Sequence, residues 1–226
     1  MTPVPMLLGQ PAPCPGDTDV PPCIELDLML TDKQLNDANA YGEWLRLAVH
    51  EKILPANNRV RAAGSCLGIA QDHHHAIIVL LGARLYASSF ALLRVAFEAY
   101  VRGEWLALCA TATQVGEFLN GREPPRIDEL LEALTRMDAF NEGRLSLIKK
   151  RNWKALCGYT HTGGIHVQRW NTSDGIEANY SSDELLEGLR FADIVATLSV
   201  LGVLSLADDA GTSEKLLERF KVRMGA

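Results

Sequence analysis

From residue 31 to the C-terminus, apolar residues recur with the 3.6-residue period of an amphipathic α-helix, and this pattern constrains the fold more than any other. Two stretches begin with a capping-box pattern, formed by Thr31 with Gln34 and by Ser181 with Glu184. Alternation with period two, which would indicate strands, is nearly absent. The sequence therefore predicts an all-α fold, a single-domain helical bundle of seven or eight helices over residues 31–226.

The predicted helices differ in how buried we expect them to be. The third is apolar almost all round, so it should be the most buried helix of the bundle. A Gly-rich loop is predicted at about 158–180, and within it 165–170 is the segment that could form a short strand. The helices are predicted at about 31–53, 57–85, 87–110, 113–120, 126–138, 144–157, 181–207 and 211–223.

The N-terminal segment has a different composition from the rest of the chain. Residues 1–30 contain seven of the ten prolines. Proline lacks a backbone N–H and fixes φ, so it is poorly suited to a helical core. We therefore predict a Pro-rich extended or disordered arm at 1–30, outside the helical bundle domain at 31–226.

Composition excludes several classes of protein. With 47% hydrophobic residues, the 226-residue chain can bury a sizeable core. Its net charge of −6 argues against a protein that coats nucleic acid by bulk charge. Five cysteines without a Cys-x-x-Cys pair indicate free thiols in a reducing compartment. We expect a cytoplasmic protein with no membrane partner, since no signal-peptide pattern is found and the most apolar window, 194–207, has only 14 residues.

Charged residues on the third predicted helix form the most unusual pattern in the chain. Arg94, Glu98 and Arg102 fall within an arc of about 80°, to which Trp105 returns. One interpretation is the solvated edge of a core helix, where each ion pair contributes only about 0.2–0.5 kcal/mol. The other is a polar cleft in which two guanidiniums, held by one carboxylate, bind an anionic ligand. The sequence leaves both open.

A basic stretch without acidic residues extends over 143–173. It carries six Lys and Arg residues, whereas the other 195 residues hold 16 basic and 28 acidic ones. This asymmetry indicates a surface that faces an anion, although a solvated helix face would have the same composition. We assign Arg151 and Arg169 from this stretch to ligand binding.

Two histidines flank a glycine pair in the same stretch. Gly163 and Gly164 are supporting residues, because they allow a tight turn or a close approach of the backbone to a ligand. His161 is the candidate catalytic residue, since imidazole titrates near neutral pH and can transfer a proton. His166 is a candidate ligand-binding residue. A structural role for His161, hydrogen-bonded to a neighbouring carbonyl, also agrees with the sequence.

The three adjacent histidines at 73–75 do not indicate a metal site. Successive helical residues point about 100° apart, so these side chains cannot bind one ion together. His74 alone falls on the apolar stripe of its helix, where we expect a core histidine that supports the fold; its alternative partner is Glu98 or another buried acid. No metal and no other cofactor is expected.

Three motifs give the chain a resemblance to a known family: R-x-x-F-E-x-Y-x-R-G at 94–103, W-x-x-L at 153–156 and Y-T-H-T-G-G at 159–164. Over about residues 35–207 the chain resembles a family of uncharacterised bacterial all-helical proteins. The wider architecture is similar to the HEPN superfamily, many of whose members are ribonucleases in toxin–antitoxin and phage-defence systems. Those nucleases typically carry an arginine four to six residues before a histidine on one helix, and this motif is absent around His161.

Three hypotheses for the function follow. The first is a metal-independent ribonuclease in a toxin or phage-defence context, which predicts that His161 lies beside Arg94 and Arg102 at a phosphate-binding site for RNA. The second is a non-catalytic interaction module, a homodimer whose exposed basic stretch binds nucleic acid or an acidic partner, with His161 distant from the arginines. The third is a bundle that binds a small molecule through Arg94 and Trp105.

Overall fold

The computed structural model describes residues 29–173 and 175–225, and within them 76% helix and no strand are found. The predicted all-α fold is therefore confirmed, with nine α-helices in the described part, eight of them of seven residues or more. A 3-10 turn at Asp138–Phe140 separates two of them. The helices are α1 (Asp32–Val49), α2 (Asn58–Gly82), α3 (Tyr86–Leu108), α4 (Ala112–Leu119), α5 (Ile127–Thr135), α6 (Arg144–Thr160), α7 (Gly164–Gln168), α8 (Ser182–Leu206) and α9 (Ala210–Met224).

Local capping explains where the long helices begin. At α1 the Thr31 hydroxyl accepts from the backbone N–H of Gln34, whose side chain accepts from the backbone N–H of Thr31. Ser181 and Glu184 form the same reciprocal pair at α8. Both predicted capping boxes are confirmed, and each satisfies two backbone donors that have no partner within the helix.

Two predicted elements are wrong. Helix α1 ends at Val49 rather than near residue 53. The segment 165–170 is not a strand, because it contributes most of the short helix α7. A lone strand would leave its backbone groups unpaired, whereas the helical turn supplies local bonds, such as that from the Val167 N–H to the Gly163 carbonyl.

Helix α3 lies at the centre of the bundle, against α2, α5, α6 and α8. Fourteen of its 23 residues are buried, the largest share of any described helix, as its sequence predicts. Its N-terminal half packs through Phe90 on Tyr159 and Tyr180, with ring centroids 4.8 and 5.2 Å apart. In its C-terminal half, Gly103 lies so close to α2 that an added Cβ would stand 2.8 Å from Leu67. These contacts fix the face of α3 that carries the charged residues.

The proline-rich arm predicted at 1–30 falls almost entirely outside the described residues and stays a prediction.

A second part of the core lies at the other side of the bundle, where α1, α8 and α9 bury Tyr41, Val200 and Leu216 among others. The structure also gives free thiols at Cys66 and Cys109, and at Cys157.

The apolar segment of helix α8 is longer than the 14-residue window predicted from the sequence. Among the described residues it is the one helix whose length and composition would suffice to cross a membrane, with a mean hydropathy of 1.8 over its best window. The apolar window 194–207 begins after Asp193, whereas the helix includes this charged residue and extends back to Ser182. In the fold, 67% of that window is buried against other helices, so its apolar side chains serve the core of the bundle.

Candidate functional site

The Arg–Glu–Arg row, formed by Arg94, Glu98 and Arg102, occupies successive turns of α3. Arg94 Nε donates to Glu98 Oε1 at 2.7 Å, and Arg102 Nη2 donates to Glu98 Oε2 at 2.8 Å. One carboxylate therefore uses one oxygen for each guanidinium. The spacing of four residues brings these groups together, since residues i and i+4 lie on the same helix face.

His161 meets the row from another part of the chain. It follows the last residue of α6, and its Nε2 is hydrogen-bonded to Arg94 Nη1. A guanidinium has only donors, so Nε2 is the acceptor and carries no proton in this contact. The proximity of His161 to the row, which the ribonuclease hypothesis predicts, is therefore confirmed. Thr160, one residue earlier, anchors this end of α6 by donating to the backbone carbonyl of Ala91 on α3 at 3.1 Å.

An aromatic side chain also contacts Arg94. Trp153 on α6 lies under the guanidinium, with Arg94 Cζ 4.7 Å from a ring centroid, and Lys149 Nζ stands 4.8 Å from the ring. Lys149 also forms an ion pair with Asp128 of α5. Arg94 thus contacts a carboxylate, an imidazole and an indole, which restricts its rotamers and pre-positions its remaining N–H groups.

The row is half-buried rather than solvated. The side chains of Glu98, Arg94 and Arg102 are 12, 21 and 34% exposed, while His161 is exposed. The row thus differs from the solvated helix edge of the first interpretation mainly at Glu98, which is shielded from water, while both arginines keep partial contact with it. Two guanidiniums against one carboxylate leave a net charge of about +1 at the mouth of the site, where bulk water screens it less than at an open surface. We call Arg94, Glu98, Arg102 and His161 the Glu98 cluster.

The other predicted ligand-binding residues lie elsewhere. Arg169 forms an ion pair with Glu184 of α8, with Nη2 and Oε1 2.6 Å apart, and is only 14% exposed. Its charge is therefore neutralised by a carboxylate that the sequence analysis assigned only to capping. Arg151 is exposed on α6. His166 is buried, edge-on to Tyr159, and burial lowers the pKa of its imidazole, partly offset by the Tyr159 backbone.

The two predicted supporting glycines have different roles. A Cβ on Gly163 would stand 3.0 Å from the Cα of Gly158, so this turn needs glycine for a close approach of backbone to backbone. A Cβ on Gly164 would meet nothing within 4 Å. Between His161 and Gly163 the chain passes through Thr162 at φ 53°, a left-handed conformation that turns it from α6 into α7.

The prediction that His74 is a core histidine is confirmed, and its partner is another buried acid rather than Glu98. Its Nε2 is 2.8 Å from Oδ1 of Asp193 on α8, while Arg223 Nε of α9 donates to Oδ2 at 2.8 Å. Asp193 is completely buried. We call His74, Asp193 and Arg223 the Asp193 cluster. A lone acid inside the apolar run 191–204 was the signal that could have found it, because a buried carboxylate needs a partner.

Trp105 is buried and belongs to neither cluster. It lines a separate cavity of about 310 Å³ formed with α4, α5 and the segment between them. In the described part of the chain, no three or more His, Cys, Asp or Glu side chains lie close enough to hold a metal ion.

The fold and these sites define an all-helical protein with a half-buried Arg–Glu–Arg row and an adjoining imidazole. The model of a family of unknown function (DUF6988) matches residues 67–223, more than half of the chain, and the chain belongs to this family. The matched region contains both clusters. Comparison with curated proteins gives no match, and comparison with solved structures gives none either.

Proposed function

We propose that the Glu98 cluster binds a phosphate-bearing ligand, with RNA as the polymer that carries it. The observation that supports this proposal is the contact between His161 and Arg94, a guanidinium that Glu98 links to the second guanidinium, Arg102. Arginine donors match the geometry of phosphate oxygens. The exposed Lys150 and Lys154 lie on α6, the helix that precedes His161, and add positive charge of the kind that a polyanion requires.

The proposal assigns each group a role in cleavage of the RNA backbone. His161 Nε2 takes the proton from a ribose 2′-hydroxyl, whose oxygen then forms a bond to phosphorus. The bond from phosphorus to the 5′-oxygen breaks, and the leaving oxygen takes a proton from solvent, so the products are a 2′,3′-cyclic phosphate and a 5′-hydroxyl. Arg94 and Arg102 stabilise the charge that develops on the phosphoryl oxygens.

This reaction would relate the chain to the HEPN superfamily in function. The superfamily's arginine and histidine stand on one helix, whereas here α3 supplies Arg94 and the turn after α6 supplies His161. We propose that this tertiary contact replaces the missing sequence motif. The setting that we propose is a bacterial toxin or phage-defence system in the cytoplasm, with the protein as a homodimer.

A non-catalytic interaction module is the second candidate. The separation of His161 from the arginines that this hypothesis predicted is wrong, since His161 contacts Arg94, but another observation favours a module that only binds. Both oxygens of Glu98 are occupied by arginine, and the acceptor of His161 is occupied by Arg94. A substrate must therefore displace an existing hydrogen bond before His161 can act as a base. A ligand that only binds needs no such displacement.

Cleavage and binding assays on the same variants distinguish the two candidates. We would measure cleavage of total RNA in the presence of a chelator, and binding of a fluorescent RNA oligonucleotide that is blocked at the 2′-position. His161→Gln should lower cleavage by at least about 100-fold, the contribution of a general base, with little change in binding. Arg94→Gln should weaken both, and His75→Gln, an exposed histidine on α2, is the matched control.

Each result decides between the candidates. Cleavage that survives in His161→Gln, or that is absent from the wild type while binding persists, would exclude the enzyme and leave the interaction module. Failure of the wild type to bind the blocked oligonucleotide would overturn the phosphate-binding proposal. Circular dichroism melting of every variant shows whether a loss reflects unfolding.

A further inference from the structure

The cavity beside Trp105 has walls that differ in chemistry from the Glu98 cluster. Its volume of about 310 Å³ lies at the lower end of the range for small-molecule sites. Aromatic and apolar groups form much of its surface: Trp105 of α3, Phe118 of α4, and the Pro124–Pro125 pair. The two prolines restrict φ in the segment before α5, so this wall is largely preformed.

Acidic side chains dominate the charge of the same cavity. Its lining contains Glu117, Glu123 and Glu129, and Arg122 is its one basic residue. Arg122 Nη1 pairs with Glu117 Oε1 at 2.7 Å, which neutralises one of the three carboxylates. Among the described residues, neither Glu123 nor Glu129 forms an ion pair. Two uncompensated negative charges repel anions and favour a cation.

Trp105 adds two independent features that point to a ligand. It is only 5% exposed, and its indole N–H forms no hydrogen bond among the described residues, so this donor is available to a ligand. The indole face also carries a negative electrostatic potential that attracts ammonium groups. A suitable ligand therefore offers both a positive charge and an oxygen that accepts a hydrogen bond.

We propose that this acidic cavity binds a small amino alcohol, that is, an organic ammonium with a hydroxyl group two or three carbons away. The ammonium lies between the aromatic walls and the carboxylates of Glu123 and Glu129, and the hydroxyl oxygen accepts from Trp105. A zwitterion with a carboxylate in place of the hydroxyl would be repelled by the same acidic residues. This site is independent of the proposed phosphate site, which has the opposite charge.

Choline is the probe for the test, because its neutral and hydroxyl-free counterparts are available. Isothermal titration calorimetry at constant ionic strength should detect choline binding. The neutral isostere 3,3-dimethylbutan-1-ol, which keeps the shape and the hydroxyl, should bind at least about tenfold more weakly, because it forms neither the cation–π contact nor the ion pairs. Tetramethylammonium, which lacks the hydroxyl, should bind about threefold to tenfold more weakly than choline.

Variants locate the binding. The double variant Glu123→Gln, Glu129→Gln should weaken choline binding at least about tenfold. Glu132→Gln is the matched control, because Glu132 lies on the same helix α5 and pairs with Arg136 outside the cavity. Tryptophan emission should respond to choline in the wild type and in Trp153→Phe, but not in Trp105→Phe. Trp153 belongs to the surroundings of the Glu98 cluster, so this pair separates the two sites.

Several outcomes would overturn the proposal: no heat with choline up to saturating millimolar concentration, equal binding of the neutral isostere, or unchanged binding in the double variant. A response that disappears in Trp153→Phe and persists in Trp105→Phe would place the ligand at the other site and would also overturn it. Choline binding that weakens equally in Glu132→Gln and the double variant would mean a diffuse charge effect and no site.

Discussion

The Glu98 and Asp193 clusters use nearly the same side chains in different surroundings. Each centres on one carboxylate whose two oxygens accept from different cationic or imidazole groups. Asp193 is completely buried and His74 is only 4% exposed, whereas the Glu98 cluster has an exposed imidazole and arginines that are 21 and 34% exposed. The two clusters therefore differ in the exposure of the carboxylate and of the imidazole, whereas Arg223 of the Asp193 cluster, at 19%, is about as exposed as Arg94.

The surroundings of Asp193 explain its structural role. Its backbone carbonyl accepts from the Thr197 hydroxyl, which in turn accepts from Tyr41 at 2.6 Å, so α1 and α8 are joined by hydrogen bonds. Arg223 brings in α9 and lies over the Tyr41 ring at 5.6 Å. Burial of these groups raises the pKa of Tyr41 to about 12. Together with Tyr41 and Thr197, the cluster joins α1, α2, α8 and α9, and none of its three side chains is more than 19% exposed.

The largest effect should come from removing the charge at each carboxylate. Asp193→Asn should lower the free energy of unfolding by about 3–5 kcal/mol, because it leaves the largely buried guanidinium of Arg223 without its counter-charge. Glu98→Gln should cost only about 1 kcal/mol, since water can solvate its arginines. Urea unfolding measures both.

Asp37→Asn, an exposed aspartate on α1, controls for the substitution itself. If Asp193→Asn does not fold, the milder Arg223→Gln tests the same cluster and should cost more than Glu98→Gln. If Asp193→Asn and Glu98→Gln lowered the free energy of unfolding equally, the distinction between a buried and a half-buried carboxylate would be contradicted.

Glu104 on α3 is a third buried carboxylate. It differs from Glu98 and Asp193 because it has no hydrogen-bond partner among the described residues. Burial raises its pKa to about 7. A raised carboxyl pKa means that stability is fully present below the unfolded value of about 4.5 and falls as the pH rises to about 7. Glu104→Gln should therefore stabilise the protein by up to about 3 kcal/mol at pH 8 relative to wild type, and by less than about 1 kcal/mol at pH 5.

Urea unfolding of Glu104→Gln and wild type at pH 5 and pH 8 measures this effect. Any change in the free energy of unfolding that the amide causes at both pH values cancels when the two results are subtracted. Glu132→Gln, an exposed change on α5, should behave alike at pH 5 and pH 8. A Glu104→Gln effect that does not grow between the two pH values would contradict the raised pKa.

The turn that holds His161 against Arg94 provides the smallest predicted effect. Gly163→Ala should cost about 1–3 kcal/mol, because the added Cβ is too close to the backbone of Gly158. It should also move His161, which NMR detects as a changed imidazole chemical shift. Gly164→Ala should be neutral or stabilising by about 0.4–1 kcal/mol, since the methyl group enters open space and the unfolded chain loses freedom. Identical effects at the two glycines would argue against this description of the turn.

Much of the fold follows from local sequence signals. The capping boxes at Thr31 and Ser181 and the apolar periodicity predicted the helices, because these signals act within a few residues of the chain. The error at 165–170 has a different cause. Strand formation depends on a neighbouring strand, which a short apolar segment cannot reveal, and here a local helical turn satisfies the backbone instead.

The candidate site was predictable where its residues share one helix. The spacing of Arg94, Glu98 and Arg102 predicts their ion pairs, since helix geometry alone brings them together. Pairs that join distant segments were not predictable in this way. Arg169 was expected to bind a ligand, yet Glu184 neutralises it, and Asp193 meets His74 across 119 positions of the chain. Such contacts depend on how helices pack, which one sequence does not specify locally.

The Glu184 side chain accepts hydrogen bonds from both the segment before α8 and the first turn of α8. Its Oε1 accepts from Arg169, while its Oε2 accepts from the Ser181 backbone N–H at the start of α8. The Arg169 carbonyl also accepts from the Asn179 N–H at 2.8 Å. Loss of the Glu184 side chain would consequently release Arg169 and the first turn of α8 together. Opening of the segment at Arg169 removes a contact of the first turn of α8, so protease cleavage next to Arg169 reports on the start of the most apolar helix in the described part of the chain.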